Sequence, residues 1–135
     1  MWHRPKLELQ PSEFFKRQGL ATFGEDPVGL RNRDYTGVEC LMWGSDYPHL
    51  EGSYPYTREH LRLSFDKVPE NEIQQMLAIN AAELYGFDRE ALAPLAAKVG
   101  PTKAEISQAL DLSTLPEAAR KCPAFGKLNQ SGARA

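Results

Sequence analysis

The run from Val38 to Trp43 is apolar, is bounded by Gly37 and Gly44, and then gives way to Ser45-Asp46-Tyr47-Pro48-His49. Its length and its bounding glycines read as a buried strand, with Asp46 just past its carboxyl end. A shorter strand candidate, Leu20-Ala21-Thr22-Phe23, ends at Gly24. Between the two, Asp26-Pro27 marks a helix start, because aspartate caps free amides and proline fits the first helical position. That helix is expected to reach Thr36 and stop at Gly37. Strand, helix, strand and short connections make two parallel neighbours. This pairing constrains the fold, since parallel strands are stable when both faces are covered and several strands pair. Two short strands do not meet that condition, and a complete barrel of such units needs about 250 residues. The simplest architecture for a 135-residue chain of this kind is the last part of a larger (β/α) barrel, α/β in class and mainly helical when isolated.

Helices account for most of the remaining pattern. Pro11-Ser12-Glu13 starts one, with Ser12 as the expected cap and Phe14 and Phe15 turned inward. Thr57 is the expected cap of another, in which Leu61, Phe65 and Val68 share a face. Pro69 opens the next, with Glu70 and Glu72 in its first turn and an apolar stripe of Ile73, Met76, Leu77, Ala81 and Leu84 that ends at Gly86. Asn80 falls on or beside that stripe, either as an amide tying helix to backbone or as a ligand contact. Asp88 starts a further helical turn that Pro94 is expected to divide. Thr102 to Glu105 has capping-box spacing, which predicts a last helix from Lys103 to Leu110. Beyond Leu112 the prolines, glycines and polar residues predict an irregular or frayed tail. The expected division is a barrel-derived part over 1–99 and a helix with an irregular tail over 100–135.

Composition narrows the function classes. A net charge of −2, with basic and acidic residues interspersed, offers no field for nucleic acid or anionic lipid. No apolar run approaches the roughly 18 residues of a membrane span. Cys40 and Cys122 are far apart and match no metal-ligand spacing, so Cys40 reads as a small buried hydrophobe and a reducing cytoplasm as the default setting.

Four segments, taken in order, resemble the amidohydrolase-related family of metal-dependent TIM-barrel enzymes, in the branch that includes aminocarboxymuconate semialdehyde decarboxylase. They are Pro11-Ser12-Glu13-Phe14-Phe15-Lys16-Arg17-Gln18, Ala21-Thr22-Phe23, Leu41-Met42-Trp43-Gly44-Ser45-Asp46-Tyr47-Pro48-His49, and Asn80-Ala81-Ala82-Glu83-Leu84-Tyr85-Gly86-Phe87. The resemblance covers roughly residues 5 to 90. It implies that the two strands are the seventh and eighth of the barrel, and that Asp46 is the carboxylate the family places at the end of the eighth. It further implies a divalent metal, zinc for preference, in the full-length protein, and none for the isolated chain.

Beside a metal, a carboxylate such as Asp46 binds the ion, accepts a proton from the water it holds, or does both. Without one, Asp46 is a turn former ahead of Tyr47-Pro48. The family's other ligands are histidines of the first, fifth and sixth strands, which have no counterpart here. The three histidines are His3, His49 and His60. His3 is expected to be incidental and His60 to be a solvated helix residue. His49 is either a substrate contact or partner of Asp46, or an ordinary loop histidine. Arg17 either reaches a substrate carboxylate from the edge of the first strand or forms a structural ion pair. Arg31-Asn32-Arg33-Asp34 reads as a solvated face, Trp43 as core, and Tyr54-Pro55-Tyr56 as a candidate pocket mouth. Two functions follow. One is the C-terminal portion of a hydrolase or non-oxidative decarboxylase for a small carboxylated or carbonyl substrate, a truncation or split half that is inactive alone. The other is a non-catalytic remnant serving as a helical interaction or dimerisation module. The expected partners are accordingly the small-molecule substrate and either a second copy or the missing N-terminal part of the barrel.

Overall fold

The computed structural model describes residues 6–125. Two strands, β1 (Ala21–Phe23) and β2 (Leu41–Trp43), pair in parallel with Ala21 opposite Leu41 and Phe23 opposite Trp43. The Gly44 amide extends the ladder by donating to Phe23 O at 2.9 Å. The chain between the strands forms α2 (Pro27–Arg31) and α3 (Arg33–Thr36), a helix interrupted at Asn32. Asp26 caps it by accepting from the Gly29 amide at 2.7 Å, and Gly37 ends it at φ 99°. The expected βαβ unit is present, though shorter in strand. Val38–Cys40 is a 3-10 turn, not strand, because the left-handed Gly37 folds the Cys40 amide back onto its own carbonyl at 3.0 Å. The apolar run had signalled burial, which a turn at the strand entrance satisfies as well as a strand does.

Helix α1 (Pro11–Gln18) precedes β1. Proline occupies its first position, so the cap falls to Gln10, whose amide donates to Glu13 Oε2 at 2.6 Å, and not to Ser12. No residue of α1 is buried, and Phe15 is exposed instead of turned inward. Its expected cover is absent from the described residues.

The main core joins Leu30, Leu41, Leu61, Phe65, Val68, Ile73, Met76 and Ile106, with Phe23 and Trp43 packed against it. Leu61, Phe65 and Val68 come from α4 (Thr57–Ser64) and the turn after it, as their spacing predicts. Tyr56 takes the cap position, while the Thr57 hydroxyl is engaged with Ser53 Oγ at 3.1 Å. Pro69 opens α5 (Glu70–Gln74), which continues through a π turn at Gln75–Ile79 into α6 (Asn80–Tyr85). Ile73 and Met76 are buried, but Leu84 emerges on the exposed side of the last turn. Asn80 is 4% exposed and its Nδ2 donates to Val38 O at 2.8 Å and to Leu41 O at 2.7 Å, so the amide ties helix to strand entrance. Arg33 is not solvated either: its guanidinium meets Glu72 at 2.5 Å and Leu30 O at 3.0 Å, joining α3 to α5.

The C-terminal third departs furthest from expectation. Helix α7 (Arg89–Val99) runs unbroken through Pro94. It is exposed throughout, so water can satisfy the Glu90 carbonyl that proline deprives of a donor. Helix α8 (Lys103–Ile106) has the expected Thr102 cap but stops four residues early, where Ser107 Oγ turns back to Ala104 O at 3.2 Å. Up to Phe125 the segment beyond Leu112 is structured: α9 (Glu117–Lys121) and flanking 3-10 turns bury Leu115, Ala119, Ala124 and Phe125 as a second cluster, while the rest of the expected irregular tail, 126–135, lies outside the described residues. Its apolar residues sit between prolines without periodicity, which hid them from a helical template.

Candidate functional site

Parallel strands bring their carboxyl ends to one side of the sheet, and there a cavity of about 610 Å³ opens. Its lining includes Thr22, Phe23, Gly24 and Glu25 after β1, Gly44, Ser45 and Asp46 after β2, and Glu51, Ser53 and His60 from the following loop and α4. Pro123 and Ala124 complete the wall from the tail. The lining carries three carboxylates and no Lys or Arg, a surface suited to a cation or a neutral polar group.

Asp46 lies at the first residue of a tight loop, at φ 55°, a left-handed conformation that Asp and Asn tolerate better than other side chains. The loop closes on itself: His49 N–H donates to Asp46 O at 2.7 Å, Gly52 N–H to His49 O at 3.0 Å, and Ser53 N–H to Ser45 O at 3.1 Å. Gly52 has no room for a side chain, since a Cβ would lie 2.9 Å from both Asp46 O and Ser45 O. This closure carries His49 to Asp46, with Nδ1 3.1 Å from Oδ2. The same Nδ1 lies 3.4 Å from the Glu51 amide nitrogen. Protonated, Nδ1 donates to Asp46; with the proton on Nε2, it accepts from Glu51. One nitrogen cannot serve both, so the proton position on His49 is coupled to which neighbour holds it.

The structure does not bring Arg17 to this site. It stands on α1 at the amino-terminal end of the sheet, with its guanidinium over the Phe14 ring at 4.9 Å. It lines a separate depression with Lys16, Gly19, Cys40 and Asn80. Tyr54 is also outside the cavity lining, edge-on to Tyr47 at 5.2 Å, and Tyr56 packs on the tail cluster. His3 lies outside the described residues. Trp43 is partly buried against the core, as expected, though its Nε1 has no partner among the described residues.

His60 overturns its reading as a solvated residue. It is 1% exposed, lines the cavity, and neither ring nitrogen has a hydrogen-bond partner among the described residues. Burial lowers its pKa from 6.5 to about 4, so the ring is neutral at pH 7. The signal was there. Tyr56, His60 and Leu63 recur at i, i+4, i+7 beside the Leu61–Phe65–Val68 stripe, giving α4 two buried faces.

A family model described as Amidohydrolase matches residues 1–87, more than half of the chain. The chain therefore belongs to the amidohydrolase family. Comparisons with curated proteins and with solved structures found no match. The family's fold is the TIM barrel, and two parallel strands with their helices are consistent with part of one. The family generally uses a divalent metal. Asp46 and His49 are two adjacent donors where a catalytic zinc site uses about three protein ligands. Among the described residues no group of three His, Cys, Asp or Glu is placed to hold an ion, so these residues alone do not fit a metal. No helix of the described residues is long and apolar enough to cross a membrane.

Proposed function

We propose that the chain supplies the seventh and eighth strands of an amidohydrolase barrel, in the branch that includes aminocarboxymuconate semialdehyde decarboxylase. In this reading Asp46 is the eighth-strand carboxylate, serving as metal ligand and proton acceptor. The reaction is hydrolysis or non-oxidative decarboxylation of a small carboxylated or carbonyl substrate. The observation that carries it is the position of Asp46: three residues past the carboxyl end of β2, in a left-handed conformation, and on the wall of an acidic cavity. Ligands and catalytic groups of α/β barrels collect at that end of the strands, and strained backbone conformations cluster at such sites. His49 would steer the Asp46 carboxylate through its 3.1 Å contact. Arg17 drops out as a substrate contact, because it lies at the other end of the sheet. The remaining ligands, with zinc the natural ion, would come from the rest of a barrel, and the chain alone would be inactive.

The test is a complete barrel of this branch in which the corresponding C-terminal segment is replaced by this one. Asp46→Asn keeps the shape and the tolerated left-handed backbone while removing the charge. Turnover is expected to fall about 10²–10⁴-fold, the range for losing a proton acceptor, with little change in melting temperature. Near-normal turnover would make Asp46 a turn former and sink the assignment.

A second reading rests on the outer surface. Leu84, Phe87, Leu95 and Val99 of α6, α7 and the turn between them are all exposed. Such a patch suits a non-catalytic interaction or dimerisation module. Sedimentation equilibrium separates the readings, since a monomer that gains activity only with the rest of a barrel favours the enzyme.

A further inference from the structure

Helix α4 lies between the two apolar clusters. Leu61 and Phe65 join the main core, while Tyr56, His60 and Leu63 face the tail. The Phe125 ring meets the His60 imidazole in a T-shaped arrangement, with centroids 5.8 Å apart and planes at 84°. Pro123 and Ala124, just before it, form part of the wall of the cavity that also holds Thr22 and Asp46. A phenyl or leucyl side chain at position 60 would fill the same place without stranding two ring nitrogens, each of which is costly to bury unpaired. The imidazole makes closure of the tail conditional on its charge.

We propose that His60 and the segment Pro123–Phe125 form an acid-released latch over the cavity at the strand ends: the neutral ring lets the tail close on α4, and the imidazolium drives it off. That the latch gates catalysis rests on the function proposed above; the latch itself does not. No charged or titratable group among the described residues is hydrogen-bonded to the ring. Glu25, Asp46 and Glu51 line the cavity, Cys122 lies on the tail, and Glu59 is on α4, but none of them hydrogen-bonds the imidazole. Arg58 and Arg62 of α4 reach away, Arg58 to Glu105 and Val99 O, Arg62 to Gln108 O and Ala109 O.

The sign follows from linkage. Closed, His60 has a pKa of about 4, and a ring released fully to water would take the ordinary 6.5. Between those values the open form binds more protons, so closure is fully present above pH 6.5 and lost as pH falls toward 4. The whole span is about 300-fold in the opening equilibrium, and about 30-fold is reached by pH 5.

The test uses the full chain carrying Ala124→Cys in a Cys122→Ser background. Ala124 is 4% exposed, so a thiol there reports opening, and Cys40, 1% exposed in the main core, is the internal reference. Labelling with an acid-active aromatic disulfide, scaled to free cysteine at each pH, should accelerate at position 124 by about 30-fold from pH 7.5 to pH 5. Cys40 should stay slow, and adding His60→Phe should abolish the rise. A flat profile, an equal rise with His60→Phe, or parallel labelling of Cys40 would each overturn the latch, the last by showing global unfolding. Should His60→Phe fail to fold, nuclear magnetic resonance of the unsubstituted chain decides. The His60 and Phe125 ring signals should move together with one midpoint between pH 4 and 6.5, and separate midpoints refute coupling. No substrate or metal enters either readout, so failure of the latch and failure of the catalytic reading are distinguishable.

Discussion

Replacing Asn80 with alanine tests what holds helix to sheet. Asn80 Nδ2 donates to Val38 O and Leu41 O at 2.8 and 2.7 Å, and its Oδ1 accepts from Gln75 Nε2. Asn80→Ala strands two carbonyls at the entrance to β2, one of them in a buried pair, and leaves a small void. At about 1–2 kcal/mol for each lost buried partner, the expected cost is about 3 kcal/mol. Urea unfolding followed by far-ultraviolet circular dichroism and by tryptophan fluorescence gives the change from the shift in midpoint. Asn80→Asp separates donation from packing, since it keeps the shape but removes the donor and points a carboxylate at two carbonyls. It should cost at least as much at pH 7. Burial and the two carbonyls raise the introduced carboxyl's pKa, so its deficit relative to the parent chain should shrink as pH falls and the acid becomes a donor. A loss below about 1 kcal/mol for Asn80→Ala, or an Asn80→Asp variant as stable as the parent at pH 7, would refute the tie.

Two further substitutions probe the site loop and the end of α4. Gly52→Ala places a Cβ 2.9–3.0 Å from Asp46 O, Ser45 O and His49 O, so the loop must shift. A loss of about 1–3 kcal/mol is expected, together with a change in the His49 imidazole resonances that reports the broken approach to Asp46; unchanged resonances would mean the loop is not held by that contact. Lys67 is exposed at φ 64°, where a long side chain is strained. Lys67→Gly relieves about 1–2 kcal/mol of that strain but loosens the unfolded chain, for a net gain in stability of about 0.5 kcal/mol, read from a higher urea midpoint. A loss would show that the Lys67 side chain stabilises the turn.

The sequence was legible where a rule of local geometry acted alone. Asp26-Pro27 had to cap a helix, Gly37 had to end one, and the second apolar run, followed by a carboxylate, had to bring Asp46 past a strand end. The failures share a cause: burial decided by residues far along the chain. His60 has Glu59 beside it and Arg62 two positions on, and the Phe125 ring that packs on it is sixty-five positions away. Arg33 looked solvated because its partner, Glu72, is on another helix. Phe15 looked buried because it is aromatic, although the described residues leave it 39% exposed. Amphipathic spacing reports that a face is hidden, not what hides it.

The two strands also explain why the candidate site lies open. β1 pairs only with β2 among the described residues, so each strand keeps one edge without a neighbour. A barrel removes such edges by closing the sheet on itself, and in doing so surrounds the strand ends with side chains from every direction. Here the strand-end cavity has a wall of two strands and one loop, with α4 and the tail on the remaining described side. Asp46 and His49 are accordingly more than half exposed, which leaves their contact screened by water and the carboxylate free of the convergent donors a catalytic centre needs. His60 stands at the other extreme, packed against Phe125 and without a hydrogen-bond partner among the described residues. The site residue that chemistry would want enclosed is open, and the one that chemistry would want solvated is shut. Closing the sheet would reverse the first condition, and lifting the tail would reverse the second.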